Sequence, residues 1–109
     1  MKVAITVNAP KMDAAFEPRF GRAAAFVIVD TDTLDWKGHR NPAASARGGA
    51  GVQAAEFLTR QGVDAVISGA FGPKAHSALA TAGVSMYQAG GGKVADLVEQ
   101  LQQGALDPA

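Results

Sequence analysis

An α/β domain built on a five-stranded mixed sheet with three helices is predicted from three observations. Short apolar runs rich in β-branched residues at 2–7, 25–30 and 63–68 read as strands. Glycines stand where helical patterns end, at Gly62, Gly83 and Gly104. Only the polar Thr31-Asp32-Thr33 separates the second apolar run from the third, so those two form a hairpin and not a crossover through a helix.

Lys2 to Val7 places Val3, Ile5 and Val7 on one face and Ala4 and Thr6 on the other, which suits a central strand. Asn8 to Arg22 is a long connection holding Pro10, Pro18 and Gly21, and loops of that length inside a compact domain bind something or move. Ala25 to Asp30 is the second strand. Leu34 to Arg40 is the third, alternating Leu34, Trp36 and Gly38 with Asp35, Lys37 and His39 as an edge strand with one wet face does. A loop of small residues from Asn41 leads through Arg47-Gly48-Gly49 to a helix at Ala50–Gln61, with Ala54, Ala55 and Leu58 on its apolar side.

Val63 to Ser68 is the fourth strand. It feeds Gly69-Ala70-Phe71-Gly72 and a helix at Pro73–Ala82, whose proline suits a first helical position because the amide hydrogen it lacks has no partner there. Val84 to Gln88 is the fifth strand, Gly90-Gly91-Gly92 a turn, and Lys93–Gln103 a third helix with Val94, Leu97, Val98 and Leu101 at helical spacing. One domain over 1–104 is expected, with 105–109 as a frayed tail.

The order β-β-β-α-β-α-β-α, with right-handed crossovers in the second half, gives the spatial order 3-2-1-4-5 with only strand two reversed. That is the layout of ribonuclease H-like folds. A flavodoxin-like sheet is the competing layout, and a hairpin with no helix between its strands argues against it.

Strands one, three, four and five then end at one pole. There the loops gather Lys11, Arg19, Arg22, Arg47, Lys74 and Lys93, while Asp30, Asp32, Asp35 and Asp64 fall at the other. Ten basic and ten acidic residues cancel, so bulk charge gives no reason to expect nucleic acid or a membrane surface as partner. Their placement does carry information. Three glycine-rich helix entrances beside fixed cations suit a multiply charged anion, since backbone N–H donors and the helix dipole add to the positive charge. Glycines at helix entrances also serve purely steric ends, and Arg19 and Arg22 read equally as solvated loop residues.

Other chemistry finds little footing. The absence of cysteine excludes a disulfide framework, thiolate zinc sites and a cysteine-ligated iron–sulfur cluster, and fits a reducing compartment. The N-terminus is too short in its apolar part for a signal peptide, so a cytoplasmic protein is expected. No nucleotide-binding glycine motif or catalytic triad is implied, and the first strand lacks the carboxylates of a two-metal nuclease. A non-catalytic protein is therefore expected. Phe16, Phe20 and Phe71 read as loop anchors and Met86 as core; His39 reads as solvated, while Met12 and His76 are outside candidates for metal contact.

Several segments resemble the dinitrogenase iron–molybdenum cofactor biosynthesis family: Phe20-Gly21-Arg22-Ala23, Asn41-Pro42-Ala43, Gly49-Ala50-Gly51-Val52-Gln53-Ala54-Ala55-Glu56, Gly62 to Gly69, Gly72-Pro73-Lys74-Ala75 and Ala82 to Tyr87. The resemblance covers nearly the whole chain in order. It implies a ribonuclease H-like domain that binds or carries an anionic metal–sulfur cluster of the iron–molybdenum type, in company with nitrogenase or cluster-assembly proteins. Many relatives have histidine before Phe-Gly-Arg where this chain has Arg19, and with no cysteine present the cluster is expected to be held non-covalently. The expected contacts are Asn8, Arg19, Phe20, Gly21 and Arg22 from the long loop. Gly48, Gly49, Gly51, Gly69, Gly72, Lys74, Gly91 and Gly92 join them from the helix entrances. The alternative is a regulatory or interaction module that binds a phosphorylated small molecule or a protein partner at the same pole.

Overall fold

The β-branched runs form the centre of a twisted mixed sheet, and the computed structural model describes all residues from 1 to 109. The strands are β1 (Lys2–Val7), β2 (Ala25–Asp30), β3 (Trp36–Arg40), β4 (Ala65–Ser68), β5 (Ser85–Gln88) and β6 (Asp107–Pro108). The helices are α1 (Ala50–Arg60), α2 (Pro73–Thr81) and α3 (Val94–Gln102). The sheet order is β3-β2-β1-β4-β5-β6. β1 runs parallel to β4 and β4 to β5, while β2 is antiparallel to both neighbours.

Strand alternation divides the core in two. Ala4, Phe26, Ile28, Val66 and Met86 point toward α1 and α2, and Val3, Ile5, Val7, Val27 and Ile67 point toward α3. The outer part of the second face is covered by the long loop after β1, whose Met12, Ala14 and Phe16 pack on it. The loop comes so close over β3 that a Cβ on Gly38 would lie 2.0 Å from the Pro10 carbonyl oxygen, which only glycine permits.

The expected order of the first five strands is observed, but the five-strand count is corrected to six. Gly104 takes φ +71 as a helix-ending residue, and Ala105 donates its N–H to the Gln100 carbonyl at 2.9 Å, turning the chain back toward the sheet. Asp107–Pro108 then pairs antiparallel with β5, Ala109 donates to the Met86 carbonyl at 2.9 Å, and Leu106 packs on the α3-side core. Residues expected as a frayed tail thus form the sheet edge. Pro108 offers no N–H to a further strand there.

The third strand begins two residues later than expected. Leu34 sits in the turn at φ +64, two-thirds exposed, and donates its N–H to the Asp30 carbonyl at 2.8 Å. The Asp30 carboxylate is held below its usual pKa, chiefly by the Asp32 N–H that it accepts at 2.9 Å, which fastens the same turn. No helix is long and apolar enough to cross a membrane.

Candidate functional site

Residues 16–20 are laid across the carboxyl ends of β1 and β4 by buried hydroxyls. Thr6 Oγ1 donates to the Glu17 carbonyl at 2.6 Å and lies 2.8 Å from the Ser68 hydroxyl; both side chains are fully buried. The Glu17 N–H reaches the Thr6 carbonyl at 2.9 Å, the Ala70 N–H reaches the Pro18 carbonyl at 2.7 Å, and the Phe20 N–H reaches the Ala70 carbonyl at 3.1 Å. A buried hydroxyl left without a partner is costly, so these bonds hold the segment in one place.

The chain then makes a single 3-10 turn at Phe20–Arg22. Phe20 is 1% exposed, stacked on Phe71 at 5.2 Å between ring centroids, and its burial contributes about 1.5–3 kcal/mol to holding the turn down. Gly21 lies against α1: a Cβ there would stand 3.3 Å from Gly51 Cα. Asn41, also buried, donates from Nδ2 to the Ala23 carbonyl at 2.9 Å and accepts the Ala43 N–H at 2.9 Å, fixing the start of the loop that delivers Arg47.

Between these pieces opens a cleft of about 530 Å³. Arg19, Arg22, Arg47 and Lys74 line it together with 48–52 and 72–75, and no acidic residue does. The N-termini of α1 and α2 both open into it. Each is preceded by a glycine, Gly49 or Gly72, that offers no side-chain cap, and neither helix has an acidic residue in its first turn. The first amides with helical partners are Gln53, bonded to the Gly49 carbonyl, and His76, bonded to the Gly72 carbonyl, each at 2.9 Å. The N–H groups of Ala50, Gly51, Val52, Lys74 and Ala75 are thus left as donors. Two helix dipoles and four cations act on this volume with no carboxylate lining it.

The cleft brings together Arg19, Phe20, Gly21, Arg22, Gly48, Gly49, Gly51, Gly72 and Lys74 from the sequence-based set. Phe20 contributes as a buried floor and not as an open contact. Asn8, Gly69, Gly91 and Gly92 are not among the lining residues. Asn8 is in the turn after β1, its N–H bonded to the Ala15 carbonyl at 3.0 Å. Gly69 is occupied by the close approach of Pro18, 2.7 Å from where a Cβ would be. Gly91 and Gly92 precede α3, which packs on the other face and carries Asp96 in its first turn.

The expected convergence of three helix entrances is therefore corrected to two. α3 follows the last parallel strand and packs through Val94, Leu97, Val98 and Leu101 on the face of the sheet that α1 and α2 leave bare. Neither expected metal contact reaches the cleft: Met12 packs on the α3-side core, and His76 Nε2 lies 3.2 Å from the Ala109 carbonyl oxygen. Lys11 and Lys93 are also absent from the lining. Arg47 lines the cleft but stands outside the expected contacts, and its place directly before Gly48-Gly49 at a helix entrance is the signal for it.

Residues 1–104 match the family described as dinitrogenase iron-molybdenum cofactor. The chain belongs to that family. Its fold is similar to the apo form of the orange protein from Desulfovibrio gigas, with a TM-score of 0.94 and 35% identity over 99% of this chain and 92% of that one. It is also similar to a candidate NifB protein from Thermotoga, with a TM-score of 0.85 and 30% identity over 98% and 91% of the two chains. An uncharacterised protein of Methanocaldococcus jannaschii is 27% identical over 110 residues, covering 98% of this chain and 90% of that protein. This family member has no group of three or more His, Cys, Asp or Glu side chains placed to hold a metal ion. What its cleft offers an incoming group is N–H donors and positive charge.

Proposed function

We propose that this protein is a small non-catalytic carrier of an anionic metal–sulfur cluster of the iron–molybdenum type, held without a covalent bond to the chain. The observation that carries the reading is the cleft between α1 and α2, where two uncapped helix N-termini meet Arg19, Arg22, Arg47 and Lys74. Such a site suits a preassembled cluster whose metals are already saturated by sulfide. Its sulfurs accept hydrogen bonds and its charge is met by guanidinium and ammonium groups. Membership of an iron–molybdenum cofactor family supports this cargo, as does likeness to a protein named for its colour whose apo form was distinguished. The partners that follow are cluster-assembly or nitrogenase proteins, and the place of work is the cytoplasm.

The test is anaerobic reconstitution of the protein with tetrathiomolybdate, alone and with ferrous iron, followed by metal analysis and a visible spectrum after gel filtration. Stoichiometric molybdenum with sulfur-to-metal charge-transfer bands is the expected result. A colourless protein without metal contradicts the carrier role. The same donors also suit a phosphate group, so a colourless protein that binds phosphorylated small molecules points to the regulatory reading.

A further inference from the structure

Among the charged side chains only Glu17 is buried, at 9% residue exposure. Its backbone is bonded to Thr6 on both sides, by N–H to carbonyl and by carbonyl to hydroxyl, so the carboxylate has a fixed origin. Its partner is Arg19, which donates from Nη2 at 2.9 Å and from Nε at 3.3 Å to the same oxygen, Oε1. Apart from the N-terminal amino group with Asp32, this is the one ion pair in the molecule. Its two members are unequal: the Arg19 side chain is 71% exposed and lines the cleft, and that of Glu17 is 11% exposed.

Burying a carboxylate is costly unless a cation answers it, and here the cation is also part of the anion site. We infer that Glu17 is an internal counter-anion that positions Arg19 at the mouth of the cleft and competes with bound cargo for its guanidinium, setting an affinity low enough for release. The inference rests on the anion-binding reading of the cleft and adds the residue that weakens it. With Nε and Nη2 facing Glu17, Nη1 is left for an incoming anion. A ligand that draws the whole fork to itself strips Glu17 of its counter-charge. Cargo therefore binds against a restoring interaction, which suits a protein that must hand its cargo on.

Glu17→Gln keeps an oxygen to accept from Arg19 and removes the charge. Tetrathiomolybdate and, in parallel, inorganic phosphate are titrated into wild type, Glu17→Gln, Arg19→Ala and the double variant, with thermal unfolding of each as a check on folding. The expected result is about tenfold tighter binding in Glu17→Gln, the factor that 1.4 kcal/mol represents. That gain disappears in the Arg19→Ala background, because Glu17 acts through Arg19. If wild type binds either probe and Glu17→Gln binds it equally or more weakly, the pair is only structural and the inference is overturned, with the anion site intact. Binding of phosphate but not tetrathiomolybdate removes the metal–sulfur cargo and leaves the role of Glu17 to be decided by the phosphate titration. Binding of neither overturns both.

Discussion

Replacing Arg22 and Arg47 together by alanine is expected to weaken anion binding about a hundredfold, roughly tenfold for each charge-assisted hydrogen bond lost. Both side chains are exposed at the cleft, so each contribution is set near the low end for a charged donor and falls further as salt is raised. Lys37→Ala is the control. Lys37 lines a separate cavity of about 320 Å³ with Lys2, Asp30 and Asp35, at the end of the sheet where β1 begins. Removing it changes net charge as much as one arginine does but leaves the cleft alone. Equilibrium titration with tetrathiomolybdate at two ionic strengths separates local from bulk charge: a loss in Lys37→Ala equal to the loss per arginine in the double variant would show that only net charge matters.

Gly69→Ala is expected to destabilise the fold by about 1–3 kcal/mol and to weaken anion binding with it. A Cβ at Gly69 would stand 2.7 Å from the Pro18 carbonyl oxygen and 2.8 Å from its Cα. Pro18 cannot easily retreat, because its carbonyl accepts the Ala70 N–H and the preceding residue is tied to Thr6. Any shift is passed to Arg19, the next residue along. Gly72→Ala provides the contrast: Gly72 has φ −65, an ordinary value for any residue, and nothing within 4 Å of an added Cβ. Urea denaturation should find Gly72→Ala within about 0.5 kcal/mol of wild type, as for surface changes that disturb no packing.

These two glycines show where sequence reading succeeds and where it stops. A glycine at a strand-to-helix turn reads the same whether it borders an open cleft, as Gly72 does, or makes room for the chain's own backbone, as Gly69 does. Only the path of the loop from residue 8 to 22 decides between them, and that path depends on Thr6 and Ser68, which are far apart in sequence. β1, β2 and β4 were legible because their β-branched runs are local signals, β3 from its alternation and β5 from the glycines on either side of it, and Gly62, Gly83 and Gly104 do take the left-handed conformation, at φ +76, +77 and +71. β6 was not legible: two residues, one a proline, carry no strand pattern of their own and pair only because β5 offers an edge. α3 packs on the opposite face of the sheet from α1 and α2, so Gly91 and Gly92 stand outside the cleft they were expected to line, although they share its pole. The cationic pole itself survived the error because the entrances to α1 and α2 carry its cations and open donors.

The central claim is that backbone donors at two helix N-termini, with the arginines beside them, bind an anion. It is tested most directly by amide-detected NMR of the protein titrated anaerobically with tetrathiomolybdate. The largest shifts are expected at Gly48 to Val52, Lys74 and Ala75, with Arg19 to Arg22 following and Asn8, Gly91 and Gly92 unmoved. Shifts centred on Gly91 and Gly92, or none at the α1 and α2 entrances at saturating anion, would contradict it.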